Sequence, residues 1–217
     1  MKLATCILTS ILAICTASAY AESIFPNGHF ENGFDGWTTD YDDGDSNVRI
    51  DSWEREHYAV ISAGATASYF YSPAMGYASI SSFFIADAGQ SLILDFKETY
   101  LRTSGYYANA SGRIEILDYT GTPIFVRDLE TAASDWINWT SGIFPYTGQY
   151  CLNISARVDV DVDLSTPPNP LSKPEQTSAV FLVDVDNVSL VPEPSSLMLF
   201  GIGVISLCFF SKKWRKR

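Results

Sequence analysis

A chain of 217 residues with a formal charge of −11 has room for one domain of ordinary size and for processing segments at its ends. All 25 acidic residues lie between Glu22 and Glu193, with only eight of the 14 basic ones, so the middle is far more acidic than the whole. A surface of that sign repels phosphate backbones, which excludes a nucleic-acid partner and suits solubility, cation binding or a neutral ligand.

Residues 1–21 follow the logic of a secretory signal. Lys2 supplies the positive start, Leu3 to Ile14 form an apolar stretch too short to span a bilayer, and small residues follow. Cleavage after Ala21 fits the small-x-small rule and begins the mature chain at Glu22. Cys15 would suit a lipoprotein signal, but the bulky Ile14 before it argues against lipidation.

From Glu22 to Leu190 the periodicity is that of strands. Short β-prone runs occupy Asn47–Asp51, His57–Ile61, Ala67–Tyr71, Ser79–Ile85 and, beyond the turn Ala88-Gly89-Gln90, Ser91–Tyr100. Arg113–Tyr119 and Ile124–Leu129 flank a hairpin loop at Thr120-Gly121-Thr122-Pro123. Trp136–Phe144, Tyr150–Val162 and Val180–Leu190 complete the series. Many short strands separated by Gly and Pro turns predict an all-β sandwich. Two long loops are expected, Thr103–Gly112 and the proline-rich Ser165–Thr177.

Several residue groups stand out within that frame. Asp40, Asp42, Asp43 and Asp45 cluster around Gly44, but Asp51 falls where an EF-hand would need glutamate, so a solvated turn is expected. In Val158-Asp159-Val160-Asp161-Val162-Asp163 the valines and aspartates face opposite sides, as in a half-buried strand; a row of carboxylates on one face would alternatively hold cations. Cys151 is the sole cysteine of the domain and reads as a buried, inert thiol. The sequence contains no serine-centred elbow, His-rich metal motif or phosphate loop.

The last 27 residues have three parts in a fixed order: Val191-Pro192-Glu193-Pro194, the apolar Leu197–Phe210, and a terminus carrying Lys212, Lys213, Arg215, Lys216 and Arg217. An apolar helix stopped by such a cluster inserts with the cluster in the cytoplasm, leaving the domain outside. The arrangement resembles the PEP-CTERM sorting signal. The resemblance implies that Pro192, Glu193 and Pro194 are recognised by an exosortase, a membrane protease-transpeptidase, and that the helix is a transient inner-membrane anchor. It further implies a Gram-negative host and a destination in the envelope surface or extracellular matrix. The expected organisation is a signal peptide at 1–21, a domain at 22–190 and a sorting signal with a transmembrane helix at 191–217.

A second resemblance covers most of residues 23–190. Asn27-Gly28-His29-Phe30-Glu31, a glycine turn, and Gly36-Trp37 are similar to the opening strand of galactose-binding-like jelly-roll domains, including carbohydrate-binding modules. Asp184-Val185-Asp186-Asn187-Val188-Ser189-Leu190 is similar to their closing strand, and Trp136 and Pro145–Tyr150 match the later part of the fold. The resemblance implies a jelly-roll sandwich whose first and last strands lie close together and share a structural calcium. Glu31, Asp186 and Asp184 would be its side-chain ligands and Asn27 and Gly28 would give carbonyls, toward the six to eight oxygens calcium needs. It also places Trp37 and Trp136 in the core.

Three functions are compatible with these readings. A noncatalytic carbohydrate-binding or matrix-associated module would stack sugars on exposed aromatic rings; Trp53, Trp139, Tyr69, Tyr71, Tyr77, Tyr106 and Tyr107 are available, most of them expected in the core, and the loop residues Tyr106 and Tyr107 are the candidates. A structural envelope or biofilm protein would need no ligand. A polysaccharide-acting enzyme would need a carboxylate pair, which any acidic protein supplies by chance.

Overall fold

The computed structural model describes residues 25–42, 44–53, 56–68, 74–102, 108–129, 135–160 and 176–192. Their strands are β1 (Thr38–Tyr41), β2 (Asn47–Trp53), β3 (Glu56–Ser68), β4 (Ala74–Ala86), β5 (Gln90–Arg102), β6 (Ala108–Leu117), β7 (Pro123–Leu129), β8 (Ile137–Thr140), β9 (Gly148–Val160) and β10 (Gln176–Pro192). They form two five-stranded antiparallel sheets, β1-β4-β9-β6-β7 and β2-β3-β10-β5-β8. Without the edge strands β1 and β2, the orders become 4-9-6-7 and 3-10-5-8. This is the jelly-roll arrangement, as expected from the sequence.

Period-two alternation makes the two sheets face each other. On β9, Leu152, Ile154, Ala156 and Val158 are buried while the residues between them are open to solvent to some degree; Ala179, Phe181, Val183 and Val185 do the same on β10. Side-chain size grades the core from one end to the other. At one end β3 presents only alanines, and a Cβ on Gly76 would collide with the carbonyl of Gly64 on the facing sheet, so the two backbones touch there. At the other end aromatic rings fill a wider gap. Phe84, Phe144 and Tyr150 have centroids 5.7, 5.9 and 4.5 Å apart, and Phe25 lies 5.0 Å from Phe84. Each such ring contributes about 1.5–3 kcal/mol by leaving water.

The opening motif is a chain of turns rather than the expected strand. Asn27, Phe30, Gly33 and Gly36 all have positive φ, and no extended pairing is compatible with four such residues in ten. The Asn27 side chain organises the turns: its Nδ2 donates to the carbonyls of Gly33 (2.8 Å) and Asp35 (3.3 Å), and its Oδ1 accepts from the Asn32 N–H (3.2 Å). Phe25, Phe30 and Trp37 are thereby folded inward to close the aromatic end.

The two ends of the domain meet as the resemblance implies. The Val188 N–H donates to the Gly28 carbonyl at 3.0 Å, and a Cβ on Gly28 would strike that part of the β10 backbone. Here β10 carries a bulge between Asp186 and Ser189, with Asn187 at φ 55°. Such an irregularity re-aims the side chains beside it.

Other departures from the sequence reading are local. The acidic turn is solvated, as expected, with Asp40, Gly44 and Asp45 exposed, and it also anchors the chain. Asp42 Oδ2 accepts the Tyr77 N–H at 3.1 Å, and Asp45 Oδ2 accepts from the Thr66 hydroxyl at 2.6 Å. Thr38–Tyr41 pairs with β4 although it is exposed throughout, so no apolar pattern marks it. The Thr103–Gly112 loop is shorter than expected because β6 begins at Ala108. At the other terminus β10 continues through Val191 and Pro192, opposite Ser91 and Gln90, two residues past the expected domain boundary.

Candidate functional site

The outer face of the sheet β2-β3-β10-β5-β8 carries the chemistry. Asp184 on β10 lies opposite Lys97 on β5 and Val60 on β3; Asp186 lies opposite Asp95, which lies opposite Asn138 on β8. Directly opposed residues share a face, so the pleat that sends Val183 and Val185 inward sends these polar side chains outward. Trp53, at the end of β2, and Trp136, just before β8, stand over this floor at 67% and 46% exposure. Tyr58 meets Trp136 edge to face, with centroids 5.7 Å apart. Together they bound a cleft of about 630 Å³, with Glu56 and Asp135 in its lining.

Fixed hydrogen bonds hold the floor. Asp95 accepts from Asn138 Nδ2 through one oxygen (2.8 Å) and from Asn187 Nδ2 through the other (2.9 Å). The bulge makes the second bond by turning Asn187 toward β5. Asp186 Oδ1 accepts the Asn187 N–H at 2.7 Å and lies 4.0 Å from His29 Nδ1. Burial pushes the Asp184 carboxyl above the usual range, against the opposing pull of Lys97 and Arg49. Burial also raises Asp186; the Asn187 N–H and His29 oppose it, while Glu56 and Asp95 add to it. Tyr58 is raised by burial and by Asp51 and Asp184.

Of the residues expected to hold calcium, Glu31 pairs with His57, while Gly28 meets the β10 backbone at Val188, two residues from Asp186. Asp184 and Asp186 belong to the cleft floor. Asn27, Gly28 and Glu31 belong to the entry turns, and their oxygens are engaged: the Asn27 carbonyl by Phe30 N–H and Trp37 Nε1, the Gly28 carbonyl by Val188 N–H, and the Glu31 carboxylate beside His57 Nδ1 at 3.2 Å. Among the described residues no three His, Cys, Asp or Glu side chains converge as metal ligands.

Trp37 is a core residue, at 8% exposure, but Trp136 is not. It lies just before β8 and its ring meets Tyr58 of β3 edge to face, which sets it over the outer face of the sheet rather than between the two sheets. Trp53 was one of the aromatic residues available to a sugar but was not singled out, and Asp95 carried no expected role in a site. The signal for Trp53 was its setting in Asp51-Ser52-Trp53-Glu54-Arg55-Glu56, where a core tryptophan has no apolar neighbours to accompany it. For Asp95 and Lys97 it was the alternation of Leu94 and Phe96 with these two charged residues.

Tyr106, Tyr107, Glu193, Pro194, the segment 1–21 and the apolar tail lie outside the described residues, as do Asp161 and Asp163. Asp159 is held by Arg157 through both oxygens, at 2.9 and 3.2 Å from its Nε, as a strand surface pair. Cys151 is half-buried rather than buried. It faces a shallow groove of about 350 Å³ on the other sheet with Phe83, Leu117 and Tyr119, and burial raises its thiol above the ordinary value. That thiol is a poor nucleophile, in line with the inert role expected of it.

The domain is thus a jelly-roll sandwich with an aromatic-walled acidic cleft on one sheet. Residues 190–216 match the PEP-CTERM protein-sorting motif, which marks the chain as an exported protein sorted to the cell envelope. No curated protein sequence matches the chain. Among solved structures it is similar to TmCBM61, solved in complex with beta-1,4-galactotriose, at 14% identity and a TM-score of 0.49 over 80% of this chain and 100% of that one. It is also similar to a non-crystalline cellulose specific carbohydrate-binding module, at 13% identity and a TM-score of 0.40 over 79% and 95%. A further similarity is to a family 16 carbohydrate-binding module, at 18% identity and a TM-score of 0.38 over 77% and 99%.

Proposed function

We propose that the exported domain is a noncatalytic glycan-binding module, working at the envelope surface or in the matrix of a Gram-negative cell after exosortase processing at Pro192-Glu193-Pro194. The observation that carries this reading is the cleft itself: Trp53 and Trp136 keep their indole faces open above a floor of oriented carboxylates and amides. A large side chain left in water forgoes the stabilisation of burial, and two on one cleft point to a ligand with flat apolar faces. Pyranose rings have such faces, and their hydroxyls suit acceptors like Asp95 and Asp186.

The floor is built to hold position rather than to move protons. Asp95 has both oxygens tied to amide donors, and Asp186 has one oxygen tied to the backbone. Binding of the full-length chain to an array of extracellular polysaccharides and oligosaccharides tests the proposal. Trp53→Ala and Trp136→Ala should each weaken binding about tenfold. Retention of full binding by both variants, with folding intact, would remove the cleft from the account.

A further inference from the structure

We propose that the cleft selects a glycan that carries free amines, a polymer with de-N-acetylated amino-sugar units, over neutral and anionic glycans. This rests on the glycan-binding reading and names the substrate class of that same site. The aromatic walls and the cavity make the site; the charge of its lining decides which sugar it takes. Glu56, Asp95, Asp135, Asp184 and Asp186 line the cleft, and Lys97 is the only cation among the described residues that do so. Lys97 stands opposite Asp184 across β10 and β5 and His29 lies 4.0 Å from Asp186, which leaves Glu56, Asp95 and Asp135 without a fixed cation in the lining.

A neutral sugar laid on this floor would strip water from several carboxylates and return only hydroxyl hydrogen bonds. An anionic sugar would add like charge. A protonated amine on a pyranose returns charge-assisted hydrogen bonds to the carboxylates and packs against indole faces that attract cations. The geometry suits both at once. Trp53 and Trp136 rise from the strand ends while the acids lie between them and on the rim, so a ring can stack while its amine points to the floor. Asp95 is pre-oriented by its two amide donors, which lowers the cost of ordering it on binding.

The test is calorimetry of the full-length chain in mild detergent near neutral pH. The probes are short β-linked glucosamine oligomers, the same oligomers fully N-acetylated, neutral glucan oligomers and oligolysine. The glucosamine oligomers should bind at least about tenfold more tightly than the N-acetylated ones, with a preference that weakens as salt is raised. Glu56 and Asp135 are exposed rim residues, so a Glu56→Gln/Asp135→Asn variant should fold normally. It should shrink the preference for glucosamine oligomers over the N-acetylated ones. Equal affinity for amine and N-acetylated forms would overturn this inference and leave the glycan-binding reading standing. Absence of binding to every saccharide would overturn both. Oligolysine binding as tightly as the glucosamine oligomers would show a site for polycations at large, and would overturn selection of a glycan.

Discussion

The two outer faces of the sandwich share one backbone logic and differ in almost everything else. The face of β2-β3-β10-β5-β8 holds a cleft of about 630 Å³, tryptophan walls and carboxylates oriented by amide donors. The face of β1-β4-β9-β6-β7 holds a groove of about 350 Å³ with exposed Phe83 and Tyr119, and its charges are spent on pairs such as Arg113–Asp128 at 2.7 Å and Arg157–Asp159 at 2.9 Å. Both faces come from the same alternation that builds the core. What separates them is the bulge at Asp186–Ser189, which turns Asn187 onto Asp95, and the placement of Trp136 over the outer face beside Tyr58. A jelly roll thus fixes where a site can sit, and a few irregular residues decide which face becomes one.

Substitutions rank the contributions to this comparison. The largest effect belongs to neither face but to the core they share. Ile154→Ala, at a fully buried β9 position, should cost about 2–5 kcal/mol in denaturant unfolding. A cost below about 1 kcal/mol would mean the sheets do not pack there as described. Next comes the bulge. Asn187→Ala removes both the amide donor to Asp95 and a residue tolerant of positive φ, and should destabilise the domain by about 1–2 kcal/mol while weakening glycan binding. Asn187→Gly, which keeps the backbone but not the donor, should recover part of the stability and none of the binding.

A pH effect follows, opposite in sign to that of an ordinary paired carboxylate. Asp184 is raised by burial in the folded state, so folding favours its protonated form. Its charged form therefore opposes folding above the raised value. That penalty fades as pH falls through the raised value, and it is gone below the ordinary aspartate range. Asp184→Asn should raise the melting temperature near neutral pH, and the gain should vanish in acid. A gain that persists at low pH would trace to packing rather than charge. The smallest effect is expected on the opposite face. Arg157→Ala breaks an exposed pair on β9 and should leave both melting temperature and binding within error.

The same contrast explains what the sequence could disclose. Inward positions on β4, β5, β9 and β10 were legible because burial demands apolar residues at every second place. The PEP-CTERM segment was legible because its three parts stand in a fixed order at the chain's end, and residues 190–216 match that motif. Asp184 and Asp186 were singled out, yet with partners the fold does not give them. Motif spacing placed Glu31 beside them, whereas Glu31 turns to His57. Trp136 illustrates the limit most clearly. A motif position says which strand a residue precedes; which face of the sheet its ring comes to lie on depends on the long-range pairing that brings Tyr58 within its reach.

The central claim is that ligand meets the face bounded by Trp53 and Trp136. Indole N–H resonances of the isotope-labelled full-length chain, followed during titration with a bound oligosaccharide, test it most directly. The account predicts that the Trp53 and Trp136 signals shift in a saturable way while that of core Trp37 stays still. Saturable binding that leaves both signals unmoved would contradict it.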